Sequence, residues 1–390
     1  MDTLNSTMKN EASRPEAIAE ENQHLAGPQV VILADDLTGA CDSAAAFLGQ
    51  GRRARVWLQD GFAGSLSGAD ICSFSTDSRN QTAAVAADRV RSLAGDLRQR
   101  FPATTFFKKI DSAGRGHFAE ETKAARVAVG ADLTVCVPAF PEAGRCVLNG
   151  TLHVWDATGR DANVSLRELF PEEMMNEKIT LISCGTDLEV ERSAKQAVDE
   201  GRHVLLCDAS SAADLQRIVR IVPRLSRRVL WAASAGLGFE LARTLKPGIS
   251  DATSVPARRN GKTLIFCGSL HPLTRMQMDR LAYAGGDDQA DRVIAQVRCG
   301  ESSEDSLRKI FCDASPVGSL VLTGGDTAAM VLRAFAAGSI EVAGQMSHGI
   351  PWGVVRGGIA DGCIVITKSG GFGDEHVLVN ALHFCRGVTA

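Results

Sequence analysis

The sequence predicts an α/β protein with two α/β domains, mostly parallel sheets and an active-site cleft between them. Three observations carry that prediction. Short apolar runs such as Val30–Leu33 (VVIL) suit strands buried on both faces, as in a parallel sheet. These runs alternate with stretches of helical periodicity, the pattern of repeated strand–helix units. Residues 246–262 (KPGISDATSVPARRNGK) carry two prolines, two glycines and no periodicity, and split the 390 residues into two such halves. The expected plan is therefore a tail over 1–27, a first domain over 28–245, a linker over 246–262 and a second domain over 263–390.

The elements follow in order. Val30–Leu33 reads as a strand and Ala40–Leu48 as a helix, with Asp35, Asp36, Thr38 and Gly39 at the junction. Arg55–Leu58 and Asp70–Phe74 read as further strands, and Gln81–Arg100 as a helix of alternating charged and apolar residues. Thr104–Lys108 is β-prone, Phe118–Val129 helical and Leu133–Val137 a strand that ends in a loop with two prolines and a glycine, up to Arg145. Ile179–Ser183, Leu188–Glu200 and His203–Cys207 repeat the strand–helix–strand rhythm, and Arg228–Ala232 with Leu237–Leu245 close the first half. In the second half, Thr263–Cys267, Leu320–Thr323 and Cys363–Thr367 read as strands. Leu273–Ala284, Ser306–Cys312 and Ala328–Ala336 read as helices, and another runs toward the C-terminus.

Composition narrows the function classes. Apolar residues make up 45% and charged residues 23%, ordinary for a soluble globular protein. No apolar window reaches the ~18 residues of a membrane span, and residues 1–27 hold no apolar core of a secretory signal. That polar tail, with five acids against two bases, carries −3 of the formal net charge of −4. The body is nearly neutral, which argues against general nucleic-acid affinity. The 11 cysteines include no CxxC pair. Cys136, Cys184, Cys207, Cys267 and Cys363 sit in apolar runs and read as buried thiols of a reducing compartment, so the cytoplasm is the expected location. No HExxH motif occurs, and no structural metal site is expected.

The chemistry lies at the strand ends, where ligands bind in open α/β sheets. In the second half, Gly324-Gly325-Asp326-Thr327 and Gly370-Gly371-Phe372-Gly373 each open a helix. Without Cβ atoms, such loops let backbone N–H groups approach an anion, and a helix N-terminus favours negative charge. Ser269 makes a third wall. Tight structural turns are the simpler reading of either glycine loop alone; two in one small domain point to nucleotide phosphates. No GxxxxGK[ST] occurs, and the GxGxxA match at Gly49–Ala54 leads from a helix into a strand, the wrong context for a dinucleotide site. In the first half, Lys108, Lys109 and Arg115 gather near Asp111, with Arg145 on another loop and Asp35 and Asp36 on a third. Arginine forks bind carboxylates, and aspartates accept protons from hydroxyls, as a sugar acid would need. Surface ion pairing is the simpler reading of each residue singly, and Arg52, Arg53 and Arg55 read as a solvated face.

The stretches ADDLTGACD (34–42), KKIDSAGRG (108–116), VPAFPEAGR (137–145), GSLHPLT (268–274), LTGGDTA (322–328) and KSGGFGDE (368–375) together resemble the ordered motifs of the four-carbon acid sugar kinase family. The resemblance spans residues 29 to 386. It implies a sugar-acid-binding N-terminal domain, a nucleotide-binding C-terminal domain and ATP-dependent phosphorylation of a tetronate or 3-oxo-tetronate, generally on the terminal hydroxyl. Departures cluster in the sugar half: Ala113-Gly114 replace a Thr-Leu pair before Arg115, and His117 stands where the family usually has Asn.

The expected site follows. Asp36 is the base facing the acceptor hydroxyl. Asp35 and Asp36 are adjacent on a strand end, so one is expected to face the cleft while the other caps the helix. Asp35, Lys109, Asp111, Arg115 and Arg145 bind the sugar acid, with Arg115 and Arg145 as the carboxylate clamp. Ser269, Gly324, Gly325, Asp326, Thr327, Gly370, Gly371, Phe372 and Gly373 hold ATP, and Asp326 also meets Mg²⁺. The partner is a small-molecule sugar acid; neither nucleic acid nor membrane is expected, and a homo-oligomer stays open. The rival readings are a non-catalytic sugar-acid sensor and another α/β transferase or dehydrogenase.

Overall fold

The computed structural model describes residues 27–58, 66, 68–155, 161–248, 259–283, 292–297 and 302–387. The tail expected over 1–27 lies outside these residues except for Gly27, as does most of the linker. The first half runs β1 (Val30–Ala34), α1 (Leu37–Ala46), β2 (Ala54–Trp57), β3 (Ile71–Ser75), α2 (Ala83–Arg100), β4 (Thr105–Lys109), α3 (Phe118–Val129) and β5 (Leu133–Val137). A small antiparallel sheet of β6 (Arg145–Leu148), β7 (Thr151–Trp155) and β8 (Asp161–Ser165) follows, then the short helices α4 (Leu166–Leu169) and α5 (Glu172–Met175). The half closes with β9 (Ile179–Ile182), α6 (Asp187–Asp199), β10 (Val204–Cys207), α7 (Ala212–Ile221), β11 (Val229–Ala233) and α8 (Ala235–Ala242).

The second half holds β12 (Lys262–Cys267), α9 (Pro272–Tyr283), β13 (Arg292–Gln296), α10 (Glu304–Ala314), β14 (Val317–Thr323) and α11 (Gly325–Ala334). The hairpin β15 (Ser339–Ser347) and β16 (Ile350–Arg356), then β17 (Ile364–Lys368) and α12 (Val377–Arg386), complete it.

The two halves share one sheet. Its fourteen strands run β13-β12-β14-β17-β16-β15-β2-β3-β1-β4-β11-β5-β10-β9. The flanking blocks are parallel, as the apolar runs predict, and the antiparallel hairpin β15–β16 joins them by pairing with β2 on one side and β17 on the other. The sequence reading did not assign this hairpin. Strand β15 is half-buried and the register shifts between Val342 and Gly344, so no clean alternation marks it, and β16, though mostly buried, is interrupted by Pro351 and Gly353. Helix α1 packs against strands of both halves and buries all ten of its residues. It is built from Ala, Gly, Cys, Thr and Ser with a single Leu and Asp, and such small side chains let strands and helices approach on every side.

Two sequence readings are corrected. Arg52 is not solvated: it is buried, with its Nε donating to Phe47 O at 2.9 Å and Nη1 to Lys246 O at 3.3 Å. It thus satisfies carbonyls beyond the end of α1 and ties them to the start of the linker. Cys184 is exposed, whereas Cys136, Cys207, Cys267 and Cys363 are buried thiols as expected. Among the described residues, no helix is long and apolar enough to cross a membrane.

Candidate active site

The turn between β1 and α1 lies where the two halves meet. Asp36 is the N-cap of α1: its Oδ1 accepts from Gly39 N at 2.8 Å and its Oδ2 from the Thr38 hydroxyl at 2.7 Å. The same carboxylate faces the second half, since a Cβ added to Gly325 would sit 2.4 Å from Asp36 Oδ2. The sequence reading assigned the cap and the cleft to different aspartates; Asp36 holds both positions. Thr38 Oγ1 lies 2.9 Å from Ser369 Oγ, a second bridge across the junction.

Arg79, which follows β3 and escaped the sequence reading, organises the carboxylates. Its guanidinium forks Asp35 at 2.7 and 2.8 Å, reaches Asp36 Oδ2 at 2.8 Å and lies 3.4 Å from Asp111 Oδ2. Burial alone would raise the carboxyl of Asp35, but Arg79, Lys108 and Lys109 hold it below its ordinary value. Asp111 is likewise raised by burial, yet Arg79, Arg115 and Lys109 hold it well below the usual carboxylate range. Asp111 also accepts from Ala113 N at 2.7 Å, which fixes the loop after β4. Arg115 bonds Asp111 at 2.6 Å and keeps a half-exposed side chain. Lys108 is fully buried and paired with Glu121 at 2.9 Å, a structural role inside the domain.

Lys109 and Asp42 differ from these pairs. Lys109 is 5% exposed and Asp42 8% exposed. Among the described residues neither side chain makes an ion pair or hydrogen bond, and Asp42 Oδ1 is buried without a partner. Burial lifts the Asp42 carboxyl to about 6, against the pull of Lys109 and Arg145. Arg145 is buried near the second half. Its Nη2 donates to Gly371 O at 3.2 Å, Nη1 donates to Ala143 O, and its guanidinium lies 4.5 Å over the Phe372 ring. The two arginines expected to form one clamp therefore sit in different settings, Arg115 on Asp111 and Arg145 on the 369–373 loop.

The glycine loops converge because β12, β14 and β17 are neighbours in the parallel block. Gly324 N donates to Lys368 O at 2.8 Å. A Cβ on Gly370 would sit 2.2 Å from Ser269 Oγ, and one on Gly371 3.1 Å from His271 Nε2. Ser269, Gly324, Thr327, Gly370 and Gly371 thus line one concave junction, and Thr274 braces it by donating to Gly370 O at 3.0 Å. Gly324 adopts a φ of +103° and leads into α11, which has no side-chain cap. Its first-turn N–H groups are left for an anion. Phe372 turns away from this junction toward Arg145 and Phe140. Gly373, with a φ of +79°, packs against Val377 and Ile350.

Two further residues complete the site, and both were missed. Lys368 is 1% exposed, and its ammonium donates to Ser369 O at 2.9 Å, Gly370 O at 3.1 Å and Phe372 O at 3.4 Å, so it templates the loop from inside. Burial pushes it down to about 7. Asn80 donates to both oxygens of Asp326, at 3.0 and 2.9 Å, across the junction. Burial, followed by the charges of Asp36 and Asp77, raises the carboxyl of Asp326. Arg79, Asn80 and Lys368 share one signal: each lies at or within a few residues of the carboxyl end of a parallel strand.

Comparison with known proteins adds to this geometry. Residues 30–241 match the family model of a sugar-binding N-terminal domain, and residues 285–378 that of a nucleotide-binding C-terminal domain. A D-threonate kinase of Bordetella bronchiseptica is 30% identical, over 93% of this chain and 98% of the relative. A 3-oxo-tetronate kinase of Cupriavidus necator is 26% identical, over 91% and 96%. A D-erythronate kinase of Heliobacterium modesticaldum is 24% identical, over 89% and 94%. A solved Salmonella typhimurium structure, described as a putative tRNA synthase, shares the fold with a TM-score of 0.68 at 19% identity, over 90% of this chain and 98% of that one.

Proposed function

The chain belongs to the four-carbon acid sugar kinase family and is a carbohydrate kinase, and we propose that it transfers the terminal phosphoryl group of ATP to the 4-hydroxyl of a tetronate or 3-oxo-tetronate. The single observation that carries this reading is the meeting of the acidic β1–α1 turn with the glycine loop before α11, where Gly325 backbone lies against Asp36. Residues 28–245 bind the sugar acid, residues 263–390 bind ATP, and the reaction takes place between them in the cytoplasm.

Phosphoryl transfer needs positioning and charge stabilisation more than covalent chemistry. The α11 N-terminus and the loop at Gly370–Gly373, with Ser269, cradle the phosphates. Asp36 faces the acceptor hydroxyl, held by its cap to α1 and by Arg79, and takes the proton as the oxygen attacks. Asp35 and Asp111 orient Arg79 and Arg115, so that Arg115 meets the carboxylate of the acid, while Lys109 and Arg145 line the sugar-acid side of the site. The donor set at the junction fits Mg²⁺: Asp326 and Asp36 are close enough for one charge to raise the other's carboxyl, and Mg²⁺ takes one or two carboxylates together with phosphate oxygens. Bound there by Asp326, the ion would neutralise charge on the transferring group.

The test is ADP formation by the full chain across D- and L-threonate, D- and L-erythronate and their 3-oxo forms, with the product located by NMR. Turnover of at least one acid with phosphate on C4 is expected. No ADP formation with any of them defeats the reading.

A further inference from the structure

A buried ammonium and a buried carboxylate stand near the Thr38–Ser369 junction without touching each other. Asp42 lies one turn along α1 from Thr38 and Gly39, on the same helix face. Thr38 meets Ser369 across the junction, and a Cβ on Gly39 would sit 3.3 Å from Lys109 Nζ. Asp42 and Lys109 are therefore neighbours, and of the positive charges that act on the Asp42 carboxyl Lys109 has the largest effect. They nevertheless stand more than an ion-pair distance apart, and Asp42 Oδ1 has no donor among the described residues.

Leaving both groups buried and unpaired is costly, and a site tolerates that cost when a ligand completes it. The group that satisfies both ends at once must accept from the ammonium and donate to the carboxylate. A hydroxyl does both; a keto oxygen only accepts. We infer that Asp42 and Lys109 hold one secondary hydroxyl of the sugar acid between them and make the site selective for a hydroxyl over an oxo group at that carbon. This assignment rests on the kinase reading above and deepens it: the site reads a hydroxyl at C2 or C3, and prefers tetronates to 3-oxo-tetronates where the hydroxyl it reads is the one at C3. Asp42 is a specificity residue here, separate from Asp36, which faces the reacting 4-hydroxyl.

The experiment compares kcat/KM of the native chain and of Asp42→Ala on a tetronate and on its two deoxy analogues, 3,4-dihydroxybutanoate and 2,4-dihydroxybutanoate, which lack the C2 or the C3 hydroxyl. All three keep the 4-hydroxyl and the carboxylate. The native chain is expected to disfavour one deoxy acid by about 10⁴–10⁵-fold, since its buried polar groups are then left unpaired. In Asp42→Ala that ratio shrinks to within about tenfold while turnover of the deoxy acid itself changes little. A structural defect would instead lower all three rates together. Melting curves report the fold of the variant, and Asp42→Asn, which keeps the volume, gives an intermediate ratio. Turnover of tetronates with no discrimination in the native chain, or with the same ratio in Asp42→Ala, overturns this inference alone. Absence of turnover with every tetronate overturns both it and the kinase reading.

Discussion

Arg79→Met tests whether one guanidinium holds the acidic cluster together. The substitution keeps much of the buried stem and deletes the charge that forks Asp35 and reaches Asp36 and Asp111. Removing one member of a buried ion network leaves the others uncompensated, at a cost of about 3–5 kcal/mol. With an unfolding entropy of about 2.1 cal/mol/K per residue, that is a fall of about 4–11 °C in Tm, the smaller figure if the chain melts as one unit and the larger if the first half melts alone. The sign with pH follows from the carboxyls. Asp35 and Asp111 are held below their ordinary value of 3.8 in the native protein, so their contribution is full above that value and is lost as pH falls through the lowered folded values. In Arg79→Met burial, which raises both carboxyls, loses its main opponent. The gap between native and variant should therefore be full at pH 7.5 and should narrow at pH 4 and below. Melting of both proteins by circular dichroism at pH 7.5, 5 and 4 checks this. A difference under about 1 °C at pH 7.5, or a large one that ignores pH, refutes the reasoning.

Three other outcomes follow from the site. Asp36→Asn keeps the helix cap but cannot take a proton, so kcat should fall by roughly 10²–10⁴-fold in steady-state assays with both ligands still bound by calorimetry; an unchanged kcat removes Asp36 from the chemistry. Gly370→Val places a Cβ where Ser269 Oγ stands 2.2 Å away, and ATP affinity should fall by at least about tenfold while sugar-acid binding holds; equal ATP affinity in a folded variant moves the phosphates elsewhere. Arg115→Lys keeps the charge but loses the planar fork, so KM for the sugar acid should rise with little change in KM for ATP; a KM equal to that of the native enzyme takes Arg115 out of the clamp.

The parallel blocks were legible because buried strands are written in solid apolar runs, and Val30–Leu33 or Leu133–Val137 need no partner to be recognised. The hairpin β15–β16 and the small sheet β6–β7–β8 were not, because strands such as β15 and β7 are partly exposed and mix polar and apolar residues according to the surfaces they cover. The same division holds in the site. Glycine loops and paired aspartates announce themselves in sequence. Arg79 does not, since an isolated arginine after a strand gains its role only when β1, β3 and β4 set three carboxylates around it. Lys368 resembles a surface lysine until burial turns its three donors onto backbone carbonyls.

Asp42 shows how one position can be read at three levels. In the sequence it is the last residue of an acidic turn-and-helix stretch. On α1 it is a carboxylate inside a helix of small residues, where its charge destabilises: its folded value of about 6 lies above the ordinary 3.8, so the stability tied to it is present below pH 3.8 and is lost as pH rises through about 6. A group that weakens the fold at neutral pH is not there for the fold. Helix α1 touches both halves, and its N-terminal cap, its Thr38 bridge and its buried Asp42 all face the same junction. The physical reason is economy of geometry. A short helix wedged between two parallel blocks brings its N-terminal cap and the residues one turn further along to a single junction, so one rigid element positions groups against both halves.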